Sequence, residues 1–254
     1  MKCVILAGGA GTRLSEETCD IPKPMVTIGD KPILWHIMKY YSCFGINEFI
    51  ICCGYKGHII KKYFADYYMH NGDITIHTKS GRHTELCQPV EDWKVTLVDT
   101  GVDSFTGKRL KKVKHLLYED EPFCLTYGDG LANVDIDKLV EFHKSHDSFG
   151  TCTTVQKESR FGSVRVNEQN IIEEFDEKPL DNDSWINGGF FVFDYRMTEF
   201  LDNDMLERST LPRLSKHFHL RAFRHEGFWK AMDTLRDKST LEMMWENDPE
   251  WKIW

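Results

Sequence analysis

Gly8, Gly9, Gly11, Arg13 and Lys23 crowd one short stretch, "MKCVILAGGAGTRL" followed closely by "PKP". Glycine carries no side chain, so backbone N–H groups in such a loop can close on an anion, and the loop reads as a phosphate cradle. It is not a dinucleotide fingerprint, because Leu14 stands where G-x-G-x-x-G needs its last glycine, and it is not a Walker loop, because no G-K-[ST] follows. The competing reading is a tight strand-to-helix turn. Two cations favour phosphate. Arg13 follows the loop at once, and Lys23 is held between Pro22 and Pro24, which stiffen its backbone in a way that a solvated lysine would not need.

Asp129 falls in "CLTYGDG", at the end of an apolar strand and between glycines. A lone Asp in a turn is usually a turn former. At a strand end, where α/β folds place ligands, a hard-metal role is equally open, since Mg²⁺ prefers one or two carboxylates plus substrate phosphate oxygens. A second carboxylate is then expected, and "FWKAMDTLRD" offers Asp233, which alone could as well cap a helix. "EFDEKP" carries Lys178 before Pro179, and "WINGGFF" puts Gly188 and Gly189 inside an apolar run, a pattern that suits close approach of a ligand or another backbone. Together they could form a second subsite, with a cation for phosphate and amide groups for sugar hydroxyls; a solvated lysine and a plain backbone crossing are the alternatives.

Other patterns carry less. His143 and His146 in "HKSH" lie one turn apart without a carboxylate ligand, which fits a helix surface. "FGSVR" is not a nucleophile elbow. Trp245, Trp251 and Trp254 suit anchors that dock the C-terminal segment.

These residues need a scaffold. Strand-like and helix-like segments alternate: "CVILA", "EFIICCG", "KVTLVD" and "PFCLTYGDG" read as buried strands, and "KPILWHIMKYYSCFG", "HIIKKYFADYY" and "DIDKLVEFHKSH" read as helices. Wholly apolar strands separated by helices imply a parallel sheet covered on both faces, doubly wound by right-handed crossovers. Beyond residue 150, "TCTTVQ", "SVRV", "NIIEEF" and "INGGFFVFD" suggest antiparallel additions to the same sheet, with no Pro-, Gly- or Ser-rich linker between. One domain over 1–254 is expected, with a first half at about 1–133 that holds the glycine loop and "GDG" and a second at about 134–254 that holds "FDEKP" and "WINGGFF". Residues 68–93 are polar and aperiodic, as in a protruding loop or hairpin.

The net charge of −8 disfavours general nucleic-acid binding, which needs a basic footprint, but leaves room for a local basic pocket. No apolar run approaches the roughly 18 residues of a membrane span, and the N-terminal apolar run is too short for a signal peptide. Eight cysteines without a C-x-x-C, two of them adjacent at Cys52 and Cys53, fit buried thiols in a reducing cytoplasm.

"LAGGAGTRL" and "PKPM", joined by "FIICCGYKG", "VTLVDTG", "TGKRLKKV", "LTYGDG", "RFGSV", "FDEKP", "WINGGFF" and "GFWKAMDTLRDK", resemble the sugar-phosphate nucleotidylyltransferases over nearly the whole chain. The resemblance implies a Rossmann-like α/β fold with a mixed, mostly parallel sheet. It implies Mg²⁺ dependence, CTP as donor, a phosphorylated acceptor with glucose-1-phosphate first among candidates, and a homo-oligomer serving nucleotide-sugar and polysaccharide biosynthesis. It assigns nucleotide binding to Leu6, Ala7, Gly8, Gly9, Ala10, Gly11, Thr12, Arg13, Lys23, Ser104, Arg109 and Gly128. It assigns metal binding to Asp129 and Asp233, and acceptor contacts to Glu177, Lys178, Asn187 and Gly188. Arg13, Lys23 and Asp129 would carry the catalysis. Ser104 stands where threonine is common in the family and keeps the hydroxyl; segment 70–92 departs most, which leaves the acceptor open to other sugar phosphates or a small non-sugar phosphoryl compound.

Two rivals stay in view. A nucleotide-sugar glycosyltransferase would use a metal-binding D-x-D, which Asp135 and Asp137 spell, although that pair opens a predicted helix and leaves the glycine loop without a task. A nucleotide sensor would bind CTP without consuming it.

Overall fold

The computed structural model describes residues 1–71, 73–86, 91–158, 163–166, 172–176 and 180–254. Its centre is a seven-stranded sheet. In chain order the strands are β1 (Lys2–Ala7), β2 (Glu48–Cys53), β3 (Lys94–Asp99), β4 (Phe123–Tyr127), β5 (Gly150–Glu158), β6 (Leu180–Phe193) and β7 (Leu220–His225). Their order across the sheet is β7-β5-β6-β4-β1-β2-β3. β1 pairs in parallel with β2 and with β4, β2 with β3, and β5 with β7, while β6 runs antiparallel to both β4 and β5. Only β6 runs against the rest, so the sheet is mixed and mostly parallel, as expected.

Side chains alternate across a strand, so an entirely apolar strand must be covered twice. Cys3, Ile5 and Ala7 of β1 join one core with Ile33, Ile37 and Tyr41 of α1 (Ile33–Ser42), while Val4 and Leu6 join a second with Leu110 and Val113 of α3 (Thr106–Val113). Between these helices in the chain lies α2 (Gly57–Ala65); after them come α4 (Ile136–Lys144), α5 (Leu211–Lys216) and α6 (Leu235–Asn247). Gly45 ends the stretch after α1 at φ +74°, the left-handed turn only glycine enters freely. The chain winds from β1 outward to β3, then returns to the other side of β1 as β4. Strand order therefore reverses at β1 and β4, whose carboxyl ends carry the glycine loop and "GDG".

The C-terminal tryptophans are anchors, as expected. Trp251 is fully buried, and with Trp245 it packs around the buried His36 ring of α1. Several expectations need correction. "SVRV" and the described part of "NIIEEF" lie on Ser163–Val166 and Ile172–Asp176, which form a separate two-stranded ladder instead of joining the main sheet, and β7 adds in parallel. His143 is buried and bonds Thr151 Oγ1 at 3.0 Å, so α4 turns that histidine inward, where the helix packs on β5. Cys3, Cys52, Cys53, Cys124 and Cys152 are buried, but Cys19 and Cys43 are exposed. Segment 68–93 needs no correction: it contains a hairpin of Asp73–His77 and Arg82–Leu86, as expected, and residues 72 and 87–90 lie outside the described ones.

Candidate active site

A cleft of about 630 Å³ opens at the switch point, between the loop after β1, the turn after β4 and the 102–106 segment. Leu6, Ala7, Gly8, Gly9, Gly11, Thr12, Arg13, Lys23, Ser104, Arg109, Gly128 and Asp129 all line it. Gly128 N–H donates to Leu6 O at 3.1 Å, which joins the two loop-bearing strand ends.

The glycines of the loop answer to different demands. Gly11 sits at φ +64°. A Cβ on Gly8 would lie 2.0 Å from Arg109 Nη1, whereas one on Gly9 would meet no atom within 4 Å. Gly8 thus makes room for a side chain behind the loop, and Gly9 leaves the loop open towards the cleft.

That side chain, Arg109, reaches from α3 into backbone. Nη2 donates to Gly8 O at 2.9 Å and Val102 O at 3.2 Å; Nη1 donates to Thr100 Oγ1 at 2.7 Å, Gly101 O at 2.9 Å and Cys53 O at 3.3 Å. Burial pulls its guanidinium below the ordinary arginine value, partly offset by Cys52, Cys53 and Asp99. Ser104 Oγ likewise donates inward, to Thr100 O at 2.5 Å.

Lys23 forms the floor. Pro22 and Pro24 fix it in a short 3₁₀ turn, Lys23–Met25, and the lysine is 9% exposed. Its Nζ lies 2.5 Å from Asp129 Oδ2 and 2.8 Å from Asp233 Oδ1, and Arg13 Nη1 lies 2.9 Å from Asp233 Oδ2. Burial works to lower the Lys23 pKa, but Asp129 and then Asp233 outweigh it, so the ammonium is held above the usual lysine value. The two aspartates meet because Gly130–Ala132 pairs antiparallel with Trp229–Ala231, with Met232 N–H donating to Asp129 O at 2.8 Å. Just beyond, Thr234 caps α6 in a reciprocal capping box with Asp237, which also accepts from Asp233 N–H.

The two carboxylates therefore converge on one cationic nitrogen. That supplies two anionic ligands for a hard cation, with the remaining positions left to phosphate oxygens and water, the donor set Mg²⁺ takes beside a nucleotide. Among the described residues, no cluster of three or more His, Cys, Asp or Glu side chains could hold a metal unaided. Asp135 instead caps α4, accepting from Lys138 N–H at 3.0 Å, so the D-x-D pair serves the helix start.

Glu177 and Lys178 lie outside the described residues. Asn187 and Gly188 lie on β6 beside the cleft: Asn187 Nδ2 donates to Tyr127 Oη at 3.2 Å, and Gly188 O accepts from Trp229 Nε1 at 2.7 Å. Ala10 is an exposed member of the loop. Sequence reasoning missed Tyr127, Thr106 and Met205, which also line the cleft, and Glu207, which bonds two of them. Tyr127 could have been found from its place immediately before Gly128 and Asp129; "DMLERST" offers no comparable signal for Glu207.

A glycine loop, paired cations and paired carboxylates at the switch point of a mostly parallel sheet define a nucleotide-handling α/β enzyme. The nucleotidyl transferase family model matches residues 2–230, and the chain belongs to that family. Over the full length of both chains it is 51% identical to glucose-1-phosphate cytidylyltransferase of Salmonella typhi and 45% identical to the probable glucose-1-phosphate cytidylyltransferase of Bacillus subtilis. Among solved structures, HddC from Yersinia pseudotuberculosis superposes with a TM-score of 0.68 at 25% identity, covering 96% of this chain and 99% of HddC. That protein has also been solved in complex with GMP-PN. No described helix is long and apolar enough to cross a membrane.

Proposed function

We propose that the chain transfers CMP from CTP to glucose-1-phosphate, forming CDP-glucose and releasing pyrophosphate. The observation that carries this is the convergence of Arg13 and Lys23 on Asp129 and Asp233 beside the glycine loop. Full-length identity to cytidylyltransferases supports the choice of base and acceptor.

An acceptor phosphate oxygen attacks the α-phosphorus of CTP; one O–P bond forms, the bond to the β-phosphate oxygen breaks, and pyrophosphate departs. The acceptor is already mostly dianionic near neutral pH, its second pKa being about 6, so no general base is needed. The work lies in positioning and charge neutralisation. The 8–12 backbone and Ser104 border the nucleotide, and the Arg109 contacts hold the 100–104 turn and the loop carbonyl in register beneath it. Arg13 faces the departing β- and γ-phosphates, and Lys23 bridges the α-phosphate and acceptor. Asp129 and Asp233 would hold Mg²⁺, which would screen the repulsion between triphosphate and incoming phosphate. Asn187, Gly188, Glu177 and Lys178 form the acceptor side. The protein works in the cytoplasm as a homo-oligomer, and size-exclusion chromatography with light scattering checks the oligomeric state.

The test is pyrophosphate release across all four ribonucleoside triphosphates and a panel of phosphorylated acceptors. CTP with glucose-1-phosphate gives the highest kcat/KM. Release of a nucleoside diphosphate would instead mark a glycosyltransferase, and CTP binding without consumption would mark a sensor.

A further inference from the structure

We infer that Glu207 is a positioning residue for the acceptor, holding the Tyr127 hydroxyl so that the Asn187 carboxamide keeps one orientation at the acceptor side of the cleft. The inference rests on the proposed function.

Four side chains from separate elements form one chain of hydrogen bonds along the rim. Tyr127 at the end of β4 donates its hydroxyl to Glu207 Oε1, and the same phenol oxygen accepts from Asn187 Nδ2 at 3.2 Å. Glu207 Oε2 accepts from Thr106 Oγ1 at 2.9 Å, and Thr106 Oγ1 accepts from Leu206 N–H at 2.8 Å. Asn187 Oδ1 accepts from Gly189 N–H at 2.9 Å.

The direction of this chain is fixed from both ends. A carboxylate only accepts, so the Tyr127 hydroxyl must donate to Glu207 and its lone pairs are left for Asn187. At the other end a backbone N–H only donates, so Asn187 must present Oδ1 to Gly189 and Nδ2 to Tyr127. Both demands select the same amide orientation. Burial, with the Glu207 charge next, raises the Tyr127 pKa, which keeps the phenol a donor. The second Nδ2 hydrogen of Asn187 has no partner among the described residues, and the side chain is exposed.

Packing locks the ring as well. Gly189 sits at φ +79°, and a Cβ there would lie 2.5 Å from the Tyr127 ring, so β6 passes flat against it. Glu207 lies in a π-helical turn, Leu206–Thr210, a local widening often found at functional sites. The segment leading into this turn is tied to the start of α3, where Gly107 N–H donates to Asp204 O at 3.0 Å. Glu207 thus ties the nucleotide-side helix start to the acceptor-side strand without lying on the cleft floor.

The test uses the full-length protein with CTP, Mg²⁺ and glucose-1-phosphate. Glu207→Ala should raise the acceptor KM about tenfold, the effect of one lost orienting hydrogen bond, with kcat falling less and the calorimetric Kd for CTP changing by under about twofold. Tyr127→Phe, which keeps the ring packing, should match it, and the double variant should be no worse than either single one. Glu207→Gln still offers a carbonyl oxygen to Tyr127 and should restore most of the loss. An unchanged acceptor KM in Glu207→Ala, an equal loss of CTP affinity, or a Gln variant as impaired as Ala would each overturn the inference while leaving the proposed function standing. A wild-type protein that releases no pyrophosphate from CTP and glucose-1-phosphate would overturn the proposed function and this inference with it.

Discussion

Lys23 Nζ lies 2.5 Å from Asp129 Oδ2, on the side chain that the resemblance assigns to the metal. The same nitrogen reaches Asp233, and Arg13 covers the other oxygen of Asp233. Two negative charges thus face two positive ones. A divalent ion arriving alone would meet a neutralised pair and two cations that repel it. Arriving with a triphosphate, it brings negative charge that Lys23 and Arg13 can take up as they release the carboxylates.

Metal binding should therefore depend on nucleotide. Mn²⁺ titrated into the protein and followed by electron paramagnetic resonance should bind weakly without CTP and at least tenfold more tightly with it. Lys23→Met should strengthen binding of Mn²⁺ alone about ten- to a hundredfold, since a charge-assisted contact of roughly 1.5–3 kcal/mol is removed from the carboxylates. Asp129→Asn should abolish the CTP-dependent gain. Equal Mn²⁺ affinity with and without CTP would show that the ammonium does not guard the site.

Arg109 and Gly8 form a matched pair, and changing either should loosen the loop. Lysine at 109 carries a single ammonium group that cannot meet five acceptors spread over three backbone segments. Arg109→Lys should weaken CTP binding by about tenfold and leave buried carbonyls unmet, costing about 1–3 kcal/mol of stability. Gly8→Ala should act similarly by displacing the guanidinium, while Gly9→Ala, with open space at its Cβ, should change stability by under about 1 kcal/mol. Thermal unfolding and CTP calorimetry on the three variants check the order.

The parallel part of the sheet was legible because β1, β2 and β4 are apolar on both faces and separated by amphipathic helices. The ligand end followed from where "GGAG" and "GDG" fall. Asp233 was legible only as a possible second carboxylate, because its approach to Asp129 depends on pairing between residues a hundred positions apart, which no local pattern encodes. The inward turn of His143 stayed hidden for a related reason: α4 packs on β5, and "HKSH" read alone does not show which histidine faces the sheet. "SVRV" alternates like a strand and "NIIEEF" is rich in strand formers, but nothing in their residues says which sheet they join. Arg109 was legible only through the resemblance, because no local pattern in "TGKRLKKV" shows that its guanidinium packs behind Gly8.

Acid should destabilise the fold through His36. Burial pushes its pKa from 6.5 down to about 4, while its Nε2 bonds Ile28 O at 2.9 Å. A histidine whose folded pKa is depressed stays neutral in the native state while the unfolded chain takes up a proton. Stability is thus full above 6.5 and falls as pH drops towards 4. The share of this one residue is about 3 kcal/mol across that window. His36→Phe should lower stability near neutral pH, because Ile28 O loses its donor, yet flatten the urea-midpoint profile on the acid side. An unchanged acid limb would place the titration elsewhere, His143 being the next candidate, since burial holds it at about 4 too.

Lys178 is the residue that should separate acceptor from nucleotide. In sequence it follows Glu177 and precedes Pro179, and β6 carries Asn187, Gly188 and Gly189 shortly after. An ammonium beside the acceptor phosphate would make a charge-assisted contact of roughly 1.5–3 kcal/mol. Lys178→Ala should then lower kcat/KM for glucose-1-phosphate about ten- to a hundredfold, at a factor of ten for each 1.4 kcal/mol, while the Kd for CTP barely moves. Calorimetry with CTP and acceptor kinetics on the same variant decide the matter. A collapse of CTP affinity with acceptor kcat/KM intact would move Lys178 to the nucleotide side, and no change in either would make it an ordinary surface lysine. Glu177→Ala completes the test: a large loss with glucose-1-phosphate supports a hydroxyl-bearing sugar acceptor that meets this carboxylate, and no loss points to a smaller phosphoryl acceptor that stops short of it.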